Sequence, residues 1–213
     1  MRSLRRRLIG IIDTNVPYIK TSGEQMINTD WIPLVDTKIQ LYLHLKDCRQ
    51  EDNLNNTWFT SPVDSNHYIF SVNNGGDANQ WNQLYQWNQL SYAYGGKIHC
   101  IDCTKYYNST VPLYYSLETT KSTYYNHNYG RYEDCALDKR DDYSGNSMIL
   151  FGGTSGAYNR ATMYIYGVKC WNNGVLERDF VPARKNGRYG LYDKVQHKFW
   201  RSSTGVDFLG PDE

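Results

Sequence analysis

Long apolar runs are missing from this 213-residue sequence. No stretch approaches the roughly 18 consecutive apolar residues of a membrane-crossing helix, so no membrane span is expected. An excess of one charge is missing too: 23 Lys and Arg face 22 Asp and Glu, a formal net charge of +1. Beyond the first seven residues the two signs are interspersed. That argues against a nucleic-acid partner, because phosphate-backbone binding needs a basic surface. Cysteine occurs five times, at Cys48, Cys100, Cys103, Cys135 and Cys170. An odd count without a recognisable secretion signal predicts reduced thiols and a fold that needs no intrachain disulfide. Cys100 and Cys103 form a CxxC, but no second CxxC and no HxxxH accompanies it, and a structural zinc takes four ligands. Packing thiols are the simpler reading, and no cofactor is expected.

Catalytic signatures are equally scarce. The sequence contains no G-x-S-x-G, H-E-x-x-H or P-loop pattern. Its five histidines are scattered, and His99 beside Cys100 makes a poor base for a nucleophile, since adjacent strand residues face apart. Retaining glycosidases built on β-sandwiches need two carboxyl groups about 5–5.5 Å apart, usually from an E-x-D-x-E strand that this sequence lacks. Glu177 and Asp179 alone have the right spacing on a good strand. Asp138, Asp141 and Asp142 lie with Lys139 and Arg140 in what reads as a solvated loop. Calcium needs clustered oxygens. Asp77 with Asn73, Asn74 and Asn79 could supply them, but turn chemistry accounts for those residues equally well. A non-enzymatic chain without a bound metal is the expectation.

What the sequence has is aromatic and polar. Mean hydropathy is −0.70, yet 15% of residues are aromatic, including 20 tyrosines. Asn, Gln, Ser, Thr and Tyr lower the hydropathy and suit strands and polar turns. Residues 38–45 alternate, with Ile39, Leu41, Leu43 and Leu45 on one face. Residues 68–72, 97–101, 147–151 and 161–168 are further strand candidates. Asn73-Asn74-Gly75-Gly76, Gly95-Gly96, Gly152-Gly153, Asn173-Gly174 and Asn186-Gly187 supply turns. No segment sustains a 3.6-residue apolar period. Residues 104–146 show little alternation and read as long loops or short edge strands. Many short strands with Gly and Asn turns predict one all-β sandwich or barrel.

The ends carry a specific pattern. Asn173-Gly174, Arg178-Asp179-Phe180, Pro182, Gly190-Leu191-Tyr192-Asp193, Phe199 and Gly210-Pro211 follow one another near the C-terminus. Tyr18-Ile19-Lys20-Thr21-Ser22-Gly23-Glu24-Gln25 opens the chain, with Asp30 where such openings usually carry Gly. Together these resemble the concanavalin-like, laminin-G-like domains of gut-bacterial surface proteins and of tailed phages. The resemblance covers residues 16–46 and 146–211. It implies a two-sheet antiparallel jelly roll, with the segment after Val16 lying beside the C-terminal strands. Within the signature, Val175, Glu177 and Asp179 should oppose Leu176, Arg178 and Phe180, Pro182 should end the ladder, and Gly187 and Gly190 should mark turns. The resemblance also implies a virion-associated head-fibre, tail-fibre or decoration subunit, assembled in the host cytoplasm rather than secreted. A glycan-active enzyme of the same fold and a bacterial surface lectin are the alternatives.

Residues 13–213 are expected to form the sandwich, and residues 1–12 a basic arm. Arg2, Arg5, Arg6 and Arg7 precede only a short apolar run, which suits docking on a neighbouring subunit, as around a trimer axis. Residues 81–94 hold the candidate ligand site. Trp81, Gln83, Tyr85, Trp87 and Gln89 would share one strand face, where rings stack on sugars and amides bond their hydroxyls. Filling the core or a subunit interface is the competing role for these aromatics. The partners foreseen are other virion or fibre subunits and a host-surface glycan.

Overall fold

The computed structural model describes residues 12–47, 56–62, 68–74, 89–94, 97–102, 112–118, 120–126, 130–136, 146–152 and 162–211. None of these is helical. Ten strands build one antiparallel sheet: β1 (Thr14–Asn15), β2 (Ile19–Ser22), β4 (Lys38–Asp47), β9 (Leu113–Leu117), β10 (Lys121–Asn126), β11 (Arg131–Ala136), β13 (Thr162–Asn172), β14 (Val175–Lys185), β15 (Arg188–Asp193) and β16 (Lys198–Trp200). Six build the other: β3 (Ile27–Asn28), β5 (Asn56–Pro62), β6 (Tyr68–Asn74), β7 (Gln89–Tyr94), β8 (Lys97–Asp102) and β12 (Ile149–Leu150). The larger sheet runs β11-β10-β9-β4-β13-β14-β15-β16, with β2 on β13 and β1 on β14; the smaller runs β3-β12-β5-β6-β7-β8.

One core joins the sheets. Ile39, Leu41 and Leu43 of β4, Ile165 and Val168 of β13 and Phe180 of β14 pack in one buried cluster with Ile27, Phe59 and Leu150 of the smaller sheet. The fold class read from the sequence, an all-β sandwich of two antiparallel sheets in the jelly-roll manner, is therefore the one observed. The ends meet as expected: β2 pairs with β13, and Lys20 exchanges backbone hydrogen bonds with Leu209. The stretch read as long loops or short edge strands needs correction: residues 113–117 and 121–126 are interior strands of the larger sheet, paired on both sides, and only residues 131–136 form its outermost described strand.

Local geometry follows the turn residues. Asn173-Gly174 joins β13 to β14 and Asn186-Gly187 joins β14 to β15, with φ of 48° and 75° in the first and 51° and 77° in the second. Two successive positive φ angles match the twist of a tight hairpin, and Asn and Gly are the residues that tolerate them. Asp30 adopts φ of 52°, the left-handed conformation that explains why glycine suits this position.

Three expectations for the C-terminal signature need correction. Pro182 does not end the ladder: β14 runs on to Lys185, and Pro182 pairs with Leu191. The proline is tolerated because β14 changes partner there. Pairing with β13 reaches Phe180, pairing with β1 begins at Ala183, and the Pro182 carbonyl accepts from Val16 N at 3.1 Å. Its missing N–H falls in that seam. Gly190 is not in a turn but inside β15, where a Cβ would collide with the Trp200 carbonyl oxygen and the Phe199 ring. The alternation along β14 also slips, because a bulge opposite Cys170 and Trp171 leaves Glu177 out of register. Arg178 and Phe180 are buried as the alternation implied, but Glu177 turns to accept from Trp31 Nε1 at 2.6 Å and Asn172 Nδ2 at 2.8 Å.

Candidate functional site

Strand β4 alternates from Lys38 to His44. Ile39, Leu41 and Leu43 enter the core, so Lys38, Gln40, Tyr42 and His44 occupy the outer face of the larger sheet. Neighbouring β13 begins in the same phase, with Met163 and Ile165 buried and Tyr164 and Tyr166 outward. A register shift between Ile165 and Gly167 then inserts an extra residue, after which Val168 and Cys170 face inward and Lys169 and Trp171 outward. The bulge thus sets Tyr166 and the side-chain-free Gly167 together on the outer face, opposite Tyr42.

Aromatic rings gather around that point. Tyr42 lies 5.4 Å from Tyr166 between ring centroids, Tyr18 lies 5.7 Å from Tyr166 and 5.0 Å from Tyr164, and His44 stacks on Tyr164 at 5.4 Å. On β9, Tyr114 is in register with Tyr42, and its backbone N–H donates to the Tyr132 hydroxyl at 3.0 Å. Tyr42, Tyr114 and Tyr166 wall a depression of about 250 Å³ whose polar lining includes Gln40, Lys169 and Asp179.

Asp179 lies between two lysines: its Oδ2 is 3.5 Å from Lys194 Nζ, and it is in register with Lys169 across the β13–β14 pair. Burial, reinforced by the crowded phenols of Tyr18, Tyr42 and Tyr164, holds the Tyr166 hydroxyl above its ordinary pKa. The depression offers ring faces, an amide, an ammonium group and a carboxylate oxygen, which is a set suited to a polyhydroxylated ligand.

The signature carboxylates have other duties. Asp193 is fully buried; its Oδ1 accepts from Asp179 N at 3.1 Å and Val195 N at 3.0 Å, and its Oδ2 lies 3.5 Å from Arg178 Nε. The Gln196 carbonyl oxygen, in the amide orientation its neighbours require, accepts from Arg178 Nη1 and Nη2 at 2.9 Å each. Glu177 is bonded to Trp31 and Asn172, and Asp179 pairs with Lys194. Among the described residues, no three of His, Cys, Asp and Glu come together as a metal site would require. Cys170 is buried, Cys135 is half-buried, and both are free thiols.

Of the site read from the sequence, Trp81, Gln83, Tyr85 and Trp87 lie outside the described residues. Gln89 is the first residue of β7, in register with Asp102 of β8. The tyrosine depression was not anticipated. Its signal was the polar half of the alternation that gave the core: Tyr42 opposite Leu41 and Leu43, and Tyr164 and Tyr166 opposite Met163 and Ile165.

No protein-family model matches this chain, and no curated protein does. Among solved structures, the exoplasmic/lumenal domain of VIP36 in its metal-free form is similar over 75% of this chain and 81% of that one, at 11% sequence identity and a TM-score of 0.47. That likeness is too slight to carry any property of VIP36 across to this chain.

Proposed function

We propose that this chain is a non-enzymatic, carbohydrate-binding adhesion module with a lectin-like sandwich, serving as a head-fibre, tail-fibre or decoration subunit of a virion. The observation that carries the binding half is the tyrosine-walled depression, with Gln40, Lys169, Asp179 and Lys194 in its lining. Tyrosine rings present flat apolar faces that match the C–H faces of sugars, and Asp179 and Gln40 provide acceptors for hydroxyls. The virion half rests on the resemblance at both ends of the chain and on Arg2, Arg5, Arg6 and Arg7 as a docking arm, which ends before Ile12 because that side chain is buried against Ala183 and Tyr192; a trimer is the simplest assembly. Exposed Ile32, Val175 and Val195 around one end of the sandwich support a subunit contact there. A glycan-active enzyme of the same fold would need a carboxylate pair; the bonds of Glu177 to Trp31 and Asn172 and of Asp179 to Lys194 favour the non-enzymatic reading.

The test is a glycan array read with wild-type protein and with Tyr166→Ala and Asp179→Asn. Wild-type binding that both variants lose while their melting temperatures stay within a few degrees is expected. A folded wild-type protein that binds no glycan sinks the binding half. Mass spectrometry of purified particles checks the other half, which fails if the chain is absent from them. The stretch Trp81, Gln83, Tyr85, Trp87 and Gln89 is proposed as a second platform. Trp87→Ala separates its roles: binding lost at unchanged stability marks a ligand site, and a loss of about 3 kcal/mol in stability marks a core residue.

A further inference from the structure

The tyrosine depression does not end at Gln40. A second depression, of about 410 Å³, begins there and is lined by Lys38, Glu118, Asp36 and the half-exposed Trp171. The register orders the two along β4: Trp171 pairs with Lys38, Lys169 with Gln40, Gly167 with Tyr42 and Tyr164 with His44. Ring faces therefore stand at three of the four outward levels, those of Lys38, Tyr42 and His44, with Gln40 and Lys169 at the level between the first two. From Lys38 to His44 that track spans about 20 Å at the rise of an extended strand, the length of several sugar rings.

The charges along the track cancel. Lys38 Nζ lies 2.6 Å from Glu118 and 5.9 Å from the centre of the Trp171 ring. Lys194 is paired with Asp179, and Lys169 is in register with Asp179. With Glu118, Asp36 and Asp179 offsetting the three lysines, the track lacks the net positive charge of the basic grooves that hold nucleic acids.

We infer that the outer face of the larger sheet binds a linear, uncharged glycan along β4, with one subsite at Tyr42, Tyr114 and Tyr166 and a second at Trp171. This rests on the carbohydrate-binding reading and specifies its ligand as an internal stretch of polysaccharide rather than a single terminal sugar. Isothermal titration with graded mannan, glucan and galactan oligosaccharides, from mono- to hexasaccharide, tests it. One series should gain at least about tenfold in affinity between the disaccharide and the hexasaccharide, and Trp171→Ala should remove most of that gain. If Trp171→Ala does not fold, Gln40→Trp, which fills the neck between the depressions, should have the same effect. Equal affinity for mono- and hexasaccharide overturns the inference and leaves the carbohydrate-binding reading standing. Failure of every sugar to bind a folded protein overturns both. Tighter binding of a polyanion such as polyuridylate than of any neutral oligomer overturns the assignment of an uncharged ligand.

Discussion

Gly190 and Gly187 show how unlike two glycines three residues apart can be. Gly187 has φ of 77° and open space around its missing Cβ, so Gly187→Ala is expected to lose about 1–2 kcal/mol through backbone strain alone. Gly190 has ordinary φ but lies against the Trp200 carbonyl, and Gly190→Ala must push backbone aside. The expected loss is above about 3 kcal/mol, beyond the usual overpacking range, and the order of the two melting temperatures checks it. Arg178 and Asp193 pose a different question, since each buries a charge against the other. Arg178→Met should lose about 3–5 kcal/mol by leaving the Asp193 carboxylate without its counter-charge. The double variant Arg178→Met, Asp193→Asn should lose less than the two single losses combined, and denaturant unfolding decides this. Cys170 adds a pH dependence. Burial pushes its thiol far above the ordinary 9.0, so the folded chain keeps this proton at pH values where the unfolded chain releases it. Stability therefore falls as pH rises from about 9 toward the folded value. Cys170→Ala should flatten that alkaline slope whatever it does at neutral pH, and an unchanged slope would refute the assignment.

At the scale of the strand, alternation was legible and its interruptions were not. Residues 38–45 announced β4 and its buried face because nothing disturbs the two-residue period there. In β13 the period is broken between Ile165 and Val168. Read forward from Ile165 it places Gly167 in the core, whereas the structure buries Val168. A bulge is a backbone event that trades one unpaired residue for twist, and only an apolar spacing of three hints at it. The same limit explains Glu177, Pro182 and the positive φ of 60° at the buried Phe151, a conformation that bulky residues rarely adopt. Turns were easier, because Asn-Gly is itself the physical requirement of a tight hairpin. Strand β11 bears its own lesson. As the outermost described strand of the larger sheet it presents charged side chains: Arg131 pairs with Glu133 at 2.9 Å, and Asp134 takes hydrogen bonds from Thr123 and Lys121. Charge along an edge discourages further strands from adding. Replacing Glu133 and Asp134 by Thr should raise concentration-dependent association in light scattering, and an unchanged scattering profile would show that the edge is protected in another way.

Across the whole molecule, the ends were the legible part, and the binding face was not. Signature residues at both termini prescribed the fold because they hold the backbone: Asn-Gly turns, a buried ion pair, and glycines under close contact. The tyrosine track leaves no such mark, for it is assembled from single outward residues of β4, β9 and β13 that are far apart in sequence. The beginning of the described chain also refines how the arm should be tested. Ile12 is buried against Ala183 and Tyr192, and Asp13 N donates to the Arg184 carbonyl at 2.8 Å. A deletion that stops at residue 11 keeps that contact and should leave the melting temperature within about 2 °C. Extending it through Ile12 should lower the midpoint by a further 4 °C or so, the scale of roughly 1–2 kcal/mol in a domain of this size. Particle incorporation, measured with the shorter deletion, then reports on docking alone.

The pairing of early strands with late ones also governs the order of events during synthesis. Gln25 donates to the Asp207 carbonyl across 182 intervening steps of chain. At roughly 5–20 residues per second, a ribosome takes on the order of 10–40 seconds to cover that interval. For most of it, until residues 162–172 are made, the strand at Ile19–Ser22 lacks β13, its partner in the sheet. The nascent chain therefore carries an open strand edge of its own making, and the larger sheet closes only when translation reaches its C-terminal hairpins. Folding of this kind is set by the slowest, most distant pairing, so a chain stalled before residue 162 is expected to be a target for chaperones and proteases rather than a partly working domain.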